Sequence, residues 1–276
     1  MPRREKTTDM TNLREIHGLA ALDQMFAAAR AQRRAAFLPY FPIGYPTYQA
    51  SLDAVAAMAD EGADGFEIGI PFSDPIADGP TIQAATQVAL ENGTTVRNCL
   101  DAVRTLRAQG YTQPMLMMGY ANPLVAYGTD QFVRDARRAG ADGLIVPDLP
   151  PEEAAMFAES CAREGLALVF FLAPTSNDRR IEMAAKHTTG FIYVVSLTGI
   201  TGERAQLPTY LTDFIARLRS RTDKALVLGF GISRPEHARQ VSDLMDGFIV
   251  GSALVRAGGE GVAAVRELAG SLRGAL

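Results

Sequence analysis

Two carboxylates in FEIGIPFSDPIADGPTIQ, residues 66–83, have the types and spacing of acid–base groups. Glu67 stands between Phe66 and Ile68 in an apolar run that reads as a strand. A buried ionised carboxylate is costly unless paired or hydrogen-bonded. No basic residue lies between Glu67 and Arg97 to pair with it locally, so Glu67 reads first as a site acid. Asp78 follows on a turn shaped by Pro71, Pro75, Gly79 and Pro80. The pattern leaves it open between an N-cap for a helix starting near Pro80 and a loop catalyst. Asp148, in IVPDLP, is equally a site acid and a structural turn residue, and Asp74 before Pro75 is a turn residue or a contact point. Two acids in different surroundings can divide the work, one protonated and one ionised. Glycosidases also use paired acids, but this chain has no Trp and only 8 Tyr to serve as sugar platforms.

Three glycine turns give the second chemical signal. They are SLTGITGER (196–204), LGFGISRPE (228–236) and IVGSALVRA (249–257), each after a β-rich run. Glycine lets the backbone approach an anion, and N–H groups at a helix start favour negative charge. Ser233 and Ser252 stand at candidate N-caps. The expected ligand is a small organic phosphate, held across the site from the acids.

Both signals need a scaffold that gathers distant segments. Eight β-rich apolar runs recur: AFLPYFPI (36–43), DGFEIGI (64–70), PMLMMGY (114–120), DGLIVPD (142–148), LALVFFLAP (166–174), GFIYVVSL (190–197), KALVLGFGI (224–232) and DGFIVGSA (246–253). Most do not alternate apolar with polar, which fits strands covered on both faces. Helical spacing lies between them, as in Leu52, Val55, Ala56, Ala59 and in Val96, Leu100, Val103, Leu106 before Gly110. Alternating strands and helices predict a single (β/α)8 TIM barrel of parallel strands with an extra N-terminal helix, active at the C-terminal strand ends. The barrel is expected over residues 19–276, behind a polar tail at 1–18. EGADGFEIGIP, AGADGLIVPDLP and LMDGFIVGSA echo one another, as if one helix-to-strand turn is reused around the ring.

Bulk properties narrow the function. A net charge of −4 without a basic run argues against nucleic acid or an acidic membrane surface. Cys99 and Cys161 lack CxxC spacing, and His17, His187 and His237 lack metal-ligand spacing. No metal is indicated, and a reducing, cytoplasmic setting is expected. Arg3-Arg4 is not followed by the apolar segment of an export signal. No run approaches the ~20 apolar residues of a membrane span.

Taken together, these motifs resemble the α subunit of tryptophan synthase, from about Leu19 to the C-terminus. The family's ELGxPFSDPxADGPxIQ is matched by EIGIPFSDPIADGPTIQ. LPYFPIGYPT, MGYANPL, IVPDLP, FIYVVSLTGITG, GFGIS and VGSA follow in the family's order. The resemblance implies retro-aldol cleavage of indole-3-glycerol phosphate to indole and glyceraldehyde 3-phosphate. Glu67 would be the general acid/base, Asp78 would meet the indole N–H, and Tyr193 would help position Glu67. Tyr40, where many relatives carry Phe, would line the indole pocket, with Asp148 among the substrate-binding residues. Gly202, Gly231, Gly251 and Ser252 would hold the phosphate. The resemblance implies no cofactor in this chain. It also implies a pyridoxal-phosphate β subunit that receives indole in an αββα complex, near Asp74, Pro75 and Asn122.

Two features depart from the family. The first 18 or so residues extend beyond the usual start, and the loop after the sixth run reads Ser-Leu-Thr-Gly where some relatives place Arg. The alternatives are a stand-alone lyase releasing free indole, a non-catalytic barrel that activates a β subunit, and a ribose-phosphate isomerase. The last of these would not need FSDPxADGP.

Overall fold

The computed structural model describes residues 17–196, 209–229 and 231–276. Among these, β1 (Ala36–Pro42), β2 (Phe66–Gly69), β3 (Met115–Met118), β4 (Gly143–Ile145), β5 (Ala167–Leu172), β6 (Phe191–Val195), β7 (Ala225–Gly229) and β8 (Gly247–Val250) form a closed barrel in chain order. All neighbours pair in parallel, and the ring closes where Ala36 to Pro39 meet Gly247 to Val250. This is the (β/α)8 barrel expected from the apolar runs. β1, β2, β4 and β8 are buried at every position, as strands covered on both faces must be.

The helices are α1 (Leu19–Ala31), α2 (Tyr48–Asp60), α3 (Pro80–Glu91), α4 (Val96–Ala108), α5 (Ala121–Tyr127), α6 (Thr129–Ala139), α7 (Ala155–Glu164), α8 (Asp178–His187), α9 (Thr209–Arg219), α10 (Pro235–Ser242), α11 (Ser252–Glu260) and α12 (Val262–Arg273). α1 is the extra N-terminal helix. It buries Leu22, Met25, Phe26 and Ala29, and Phe26 meets Phe191 of β6 edge-on at 6.0 Å. α4 shows why local sequence suffices for some elements. Thr95 accepts from the Asn98 N–H, the Asn98 side chain accepts from the Thr95 N–H, and Leu100, Val103 and Leu106 face inward. The polar segment expected as a tail lies outside the described residues through position 16. Gly18 is tied down, its N–H donating to the buried Asp142 Oδ1 at 2.7 Å.

The Asp-Gly echo proves to be a clasp between strands. Asp64 Oδ2 accepts the N–H of Phe37, the second residue of β1, and returns its own N–H to the Phe37 carbonyl. Asp142 does the same with Met115 of β3, and Asp246 with Leu226 of β7. At the fourth odd–even joint Thr189 replaces Asp: its Oγ1 accepts from Leu168 N–H at 2.9 Å and its N–H donates to the Leu168 carbonyl at 3.0 Å. Each acid also meets arginine, Arg34 on Asp64, Arg107 on Asp142 and Arg219 on Asp246, at 2.6–2.7 Å. The residue after each clasp is Gly, and a Cβ on Gly143 would stand 2.8 Å from Ala167 Cβ. The repeated sequence is therefore a device that satisfies the first free amide of one strand from the approach to the next.

Candidate functional site

At the C-terminal ends of the strands lies a cavity of about 510 Å³. Its walls include Tyr40 of β1, Glu67 of β2, Met118 of β3, Tyr193 of β6 and Ile249 of β8. Ala77, Asp78 and Gly79 enter from the loop after β2. The fold thus brings into one cavity both acids singled out in the sequence. Among the described residues, no group of three or more His, Cys, Asp or Glu is arranged to hold a metal, and no helix is long and apolar enough to cross a membrane.

Glu67 is 1 % exposed, and neither carboxylate oxygen has a hydrogen-bond partner among the described residues. Burial, and secondarily the nearby Asp78 carboxylate, push its pKa well above the ordinary carboxylate range. It is a proton-holding acid without a structural partner. Asp78 is held differently. α3 takes Gly79 as its N-cap with no side-chain cap, so the cap reading of Asp78 fails. Its Oδ2 instead accepts from Tyr120 Oη at 3.0 Å, and Tyr120 Oη accepts from the Ala77 N–H at 3.0 Å. Burial raises the Asp78 pKa to about 6, while the Tyr120 bond pulls it down.

Tyr120 was not singled out from sequence. Its signal was present in MGYANPL, but the hydroxyl acts on a loop 42 residues earlier. Its ring packs on Phe72 at 5.3 Å, so it braces both ends of the loop. Removing its hydroxyl removes a bond that favours the Asp78 carboxylate. Tyr120→Phe is therefore expected to raise the Asp78 pKa above about 6, moving any function of the ionised form to higher pH. Carboxyl-carbon NMR titration checks this, and an unmoved Asp78 midpoint would remove Tyr120 from the account.

The tyrosines flanking the acids are made possible by glycines at strand ends. Tyr40 is buried beside Glu67, its Cα partner across β1 and β2. A Cβ on Gly69 would lie 2.6 Å from Tyr40 Oη, and one on Gly229 would overlap the Tyr193 ring. These strand-end glycines are steric cut-outs. Tyr193 stacks on Phe171 at 4.4 Å, giving the cavity a flat aromatic wall. Burial, then Asp78 and Glu67 in their ionised forms, raise both tyrosine pKa values, so both stay neutral hydroxyls.

The cavity wall also carries Gly231, Ile232, Ser233, Gly251, Ser252 and Ala253, with Gly251 next to Tyr40. Gly231 has φ +88°, the left-handed region that suits glycine. Gly251 is the N-cap of α11 with no side-chain cap, and Ser252 is the first helical residue. Ser233 is likewise not a cap, since Arg234 holds that position for α10. The N–H groups opening α11 have no intrahelical acceptor, and Gly251, Ser252 and Ala253 there line the cavity. Gly202 and the rest of the loop from 197 to 208 lie outside the described residues.

Asp148 is not among the residues lining the cavity. Exposed, it accepts the Ala121 N–H at 2.8 Å, at the start of α5, which follows Tyr120 directly. Asp74 and Asn122 are exposed and Pro75 half-buried, near the cavity rim in sequence. Sequence reasoning also passed over Phe171 and Arg256, although they lie within LALVFFLAP and IVGSALVRA.

The family model described as "Tryptophan synthase alpha chain" matches residues 26–270. The chain is 48 % identical over 234 residues to the tryptophan synthase alpha chain of Chloroflexus aggregans, covering 85 % of this chain and 88 % of that one. It is 46 % identical over 261 residues to that of Roseiflexus sp. (strain RS-1), covering 93 % and 100 %. Among solved structures, Mycobacterium tuberculosis tryptophan synthase is similar at a TM-score of 0.87 and 38 % identity, over 92 % of this chain and 97 % of that chain.

Proposed function

The chain belongs to the tryptophan synthase alpha chain family, and on that premise we propose that it cleaves indole-3-glycerol phosphate to indole and glyceraldehyde 3-phosphate. The observation that carries this reading is the buried, unpartnered Glu67 in a cavity that also holds Asp78 and the α11 N-terminus.

The chemistry follows from the two acids. Glu67 gives its proton to indole C3, which becomes sp³ and leaves positive charge on the ring nitrogen side. The Asp78 carboxylate, meeting the N–H, stabilises that charge in a water-poor site. Glu67, now ionised, takes the proton from the hydroxyl on the carbon attached to C3. The O–H electrons become the aldehyde C=O, the C–C bond breaks, and its electrons return to the ring. Protons and electrons balance without water or a redox partner. Tyr40, Phe171 and Tyr193 form apolar walls for the indole, with Tyr193 positioning Glu67. Gly231, Gly251 and Ser252 receive the phosphate, joined by Gly202.

The partner in this reading is a pyridoxal-phosphate β subunit that takes up the indole. Three exposed apolar side chains support a docking face at this end of the barrel: Ile76 at 83 %, Val125 at 52 % and Met156 at 57 %. They follow β2, β3 and β4 in turn, Ile76 next to Pro75 and Val125 on the same helix as Asn122. Such apolar side chains gain by being covered. The reaction belongs in the cytoplasm, and Cys99 and Cys161 are both free and buried.

The test is to incubate the purified chain with indole-3-glycerol phosphate, alone and with a β subunit. Slow cleavage alone that rises steeply with the partner is expected. Fast cleavage unaffected by the partner would make it a stand-alone lyase, and intact substrate in both cases would sink the reading.

A further inference from the structure

We infer that Arg256 is a substrate-positioning residue that meets the phosphate dianion and links the phosphate end of the cavity to the loop bearing Asp78. The inference rests on the phosphate placement proposed above. Arg256 is the only Lys, Arg or His among the described cavity-lining residues. The same cavity carries two acids, Glu67 and Asp78, and either one, when ionised, repels a phosphorylated ligand, which leaves Arg256 to offset that charge.

Geometry selects this arginine. Ser252 opens α11, and Arg256 stands four residues later on the same helix, an i, i+4 pair on one face. An anion at the Ser252 end of α11 lies within reach of a long side chain from the next turn. The guanidinium also touches the other side of the mouth. Its Nη1 is 3.4 Å from Oγ1 of Thr81, the second residue of α3, and α3 begins immediately after the Ala77-Asp78-Gly79 turn. One side chain therefore spans the helix that starts the phosphate subsite and the helix that anchors the acid loop. Its single hydrogen bond among the described residues, to Thr81, is long, which leaves guanidinium donors to bind an anion.

Arg256 is exposed, which sets the expected size of the effect. A solvent-screened contact to a dianion is weaker than a buried one but responds to salt. Arg256→Ala, assayed in the complex with a β subunit, is expected to raise KM for indole-3-glycerol phosphate about fivefold to tenfold, with kcat changed less than about twofold. The salt dependence of kcat/KM should flatten, and Arg256→Lys should recover most of the loss because the charge is kept. Inorganic phosphate, titrated into the chain by calorimetry, should bind the Ala variant correspondingly less tightly. An unchanged KM and salt slope in the Ala variant would overturn the inference. So would equal impairment in Ala and Lys variants, or a fall confined to kcat. If the wild-type chain leaves indole-3-glycerol phosphate intact, the functional reading fails. Arg256-dependent phosphate binding would then still uphold this role, and its absence would overturn both.

Discussion

Glu67→Gln is expected to slow cleavage of indole-3-glycerol phosphate by about 10²–10⁴-fold while making the barrel harder to unfold at pH 8. The amide keeps the shape of the acid but cannot deliver a proton to carbon. Nothing else in the cavity replaces it, because Asp78 is turned to Tyr120 and burial makes the two tyrosine hydroxyls still weaker acids than usual. The stability half follows from linkage. Burial raises the Glu67 pKa in the folded chain above its unfolded value near 4.5. The folded state then binds the proton more tightly than the unfolded state, so the favourable contribution is complete below the unfolded pKa. It is lost as pH rises through the folded pKa. Gln does not titrate. The variant's advantage should therefore be small near pH 4, grow above it, and appear at pH 8 as a rise of a few degrees in Tm, given about 2–4 °C per kcal/mol for a domain of this size. Thermal melts at the two pH values with steady-state rates check both halves. A variant as active as the parent would remove Glu67 from the chemistry, and equal gains at both pH values would remove the buried proton as the cause.

Asp142→Ala carries the largest expected cost to the fold, about 3–5 kcal/mol of unfolding free energy. The side chain is 1 % exposed and accepts from three directions: the Met115 N–H at 2.9 Å, the Gly18 N–H at 2.7 Å and Arg107 Nη2 at 2.7 Å. Arg107 uses its other nitrogens on the carbonyls of Gly140, Tyr111 and Gln113. Truncation leaves a largely buried guanidinium without its carboxylate and two backbone donors without acceptors, the expensive way to break a buried pair. Urea unfolding measures it. A loss below about 1 kcal/mol would show that the cluster finds other partners. Asp101 makes a useful contrast, since its pair with Arg104 is solvent-exposed and should matter little.

The strands and their order were legible because parallel barrel strands are apolar on both faces and carry their signal locally. Lengths were less so: the run DGLIVPD contains a strand of only Gly143–Ile145, its remainder forming the clasp and the turn toward Asp148. Glu67 was legible because a lone acid in an apolar strand is anomalous whatever surrounds it. Asp78 was ambiguous because a cap and a catalyst look alike until the side-chain direction is known. Tyr120, Gly69 and Gly229 were not legible, because each acts across a gap in sequence. The Tyr120 hydroxyl reaches back to Asp78, and the two glycines matter only for rings on β1 and β6. The echo DGF, DGL, DGF was visible as a repeat, but its purpose was not, and its fourth copy, Thr189-Gly190, shares no acid with the others.

Those four clasps bear on the order in which the chain can assemble. They join residues only 27, 27, 21 and 20 positions apart. The ring itself closes only when Ala36 meets Gly247, across most of the chain. Short loops close at lower entropic cost and sooner than long ones. Each odd–even strand pair can thus gain a side-chain latch while the remainder is still unmade, as a chain leaving the ribosome requires. Of the joints between the pairs, β2–β3, β6–β7 and the closing β8–β1 span longer stretches, whereas β4–β5, which joins Gly143 to Ala167, spans as short a stretch as the clasps. The molecule is closed in space but can be latched from short-range joints before its ring is complete.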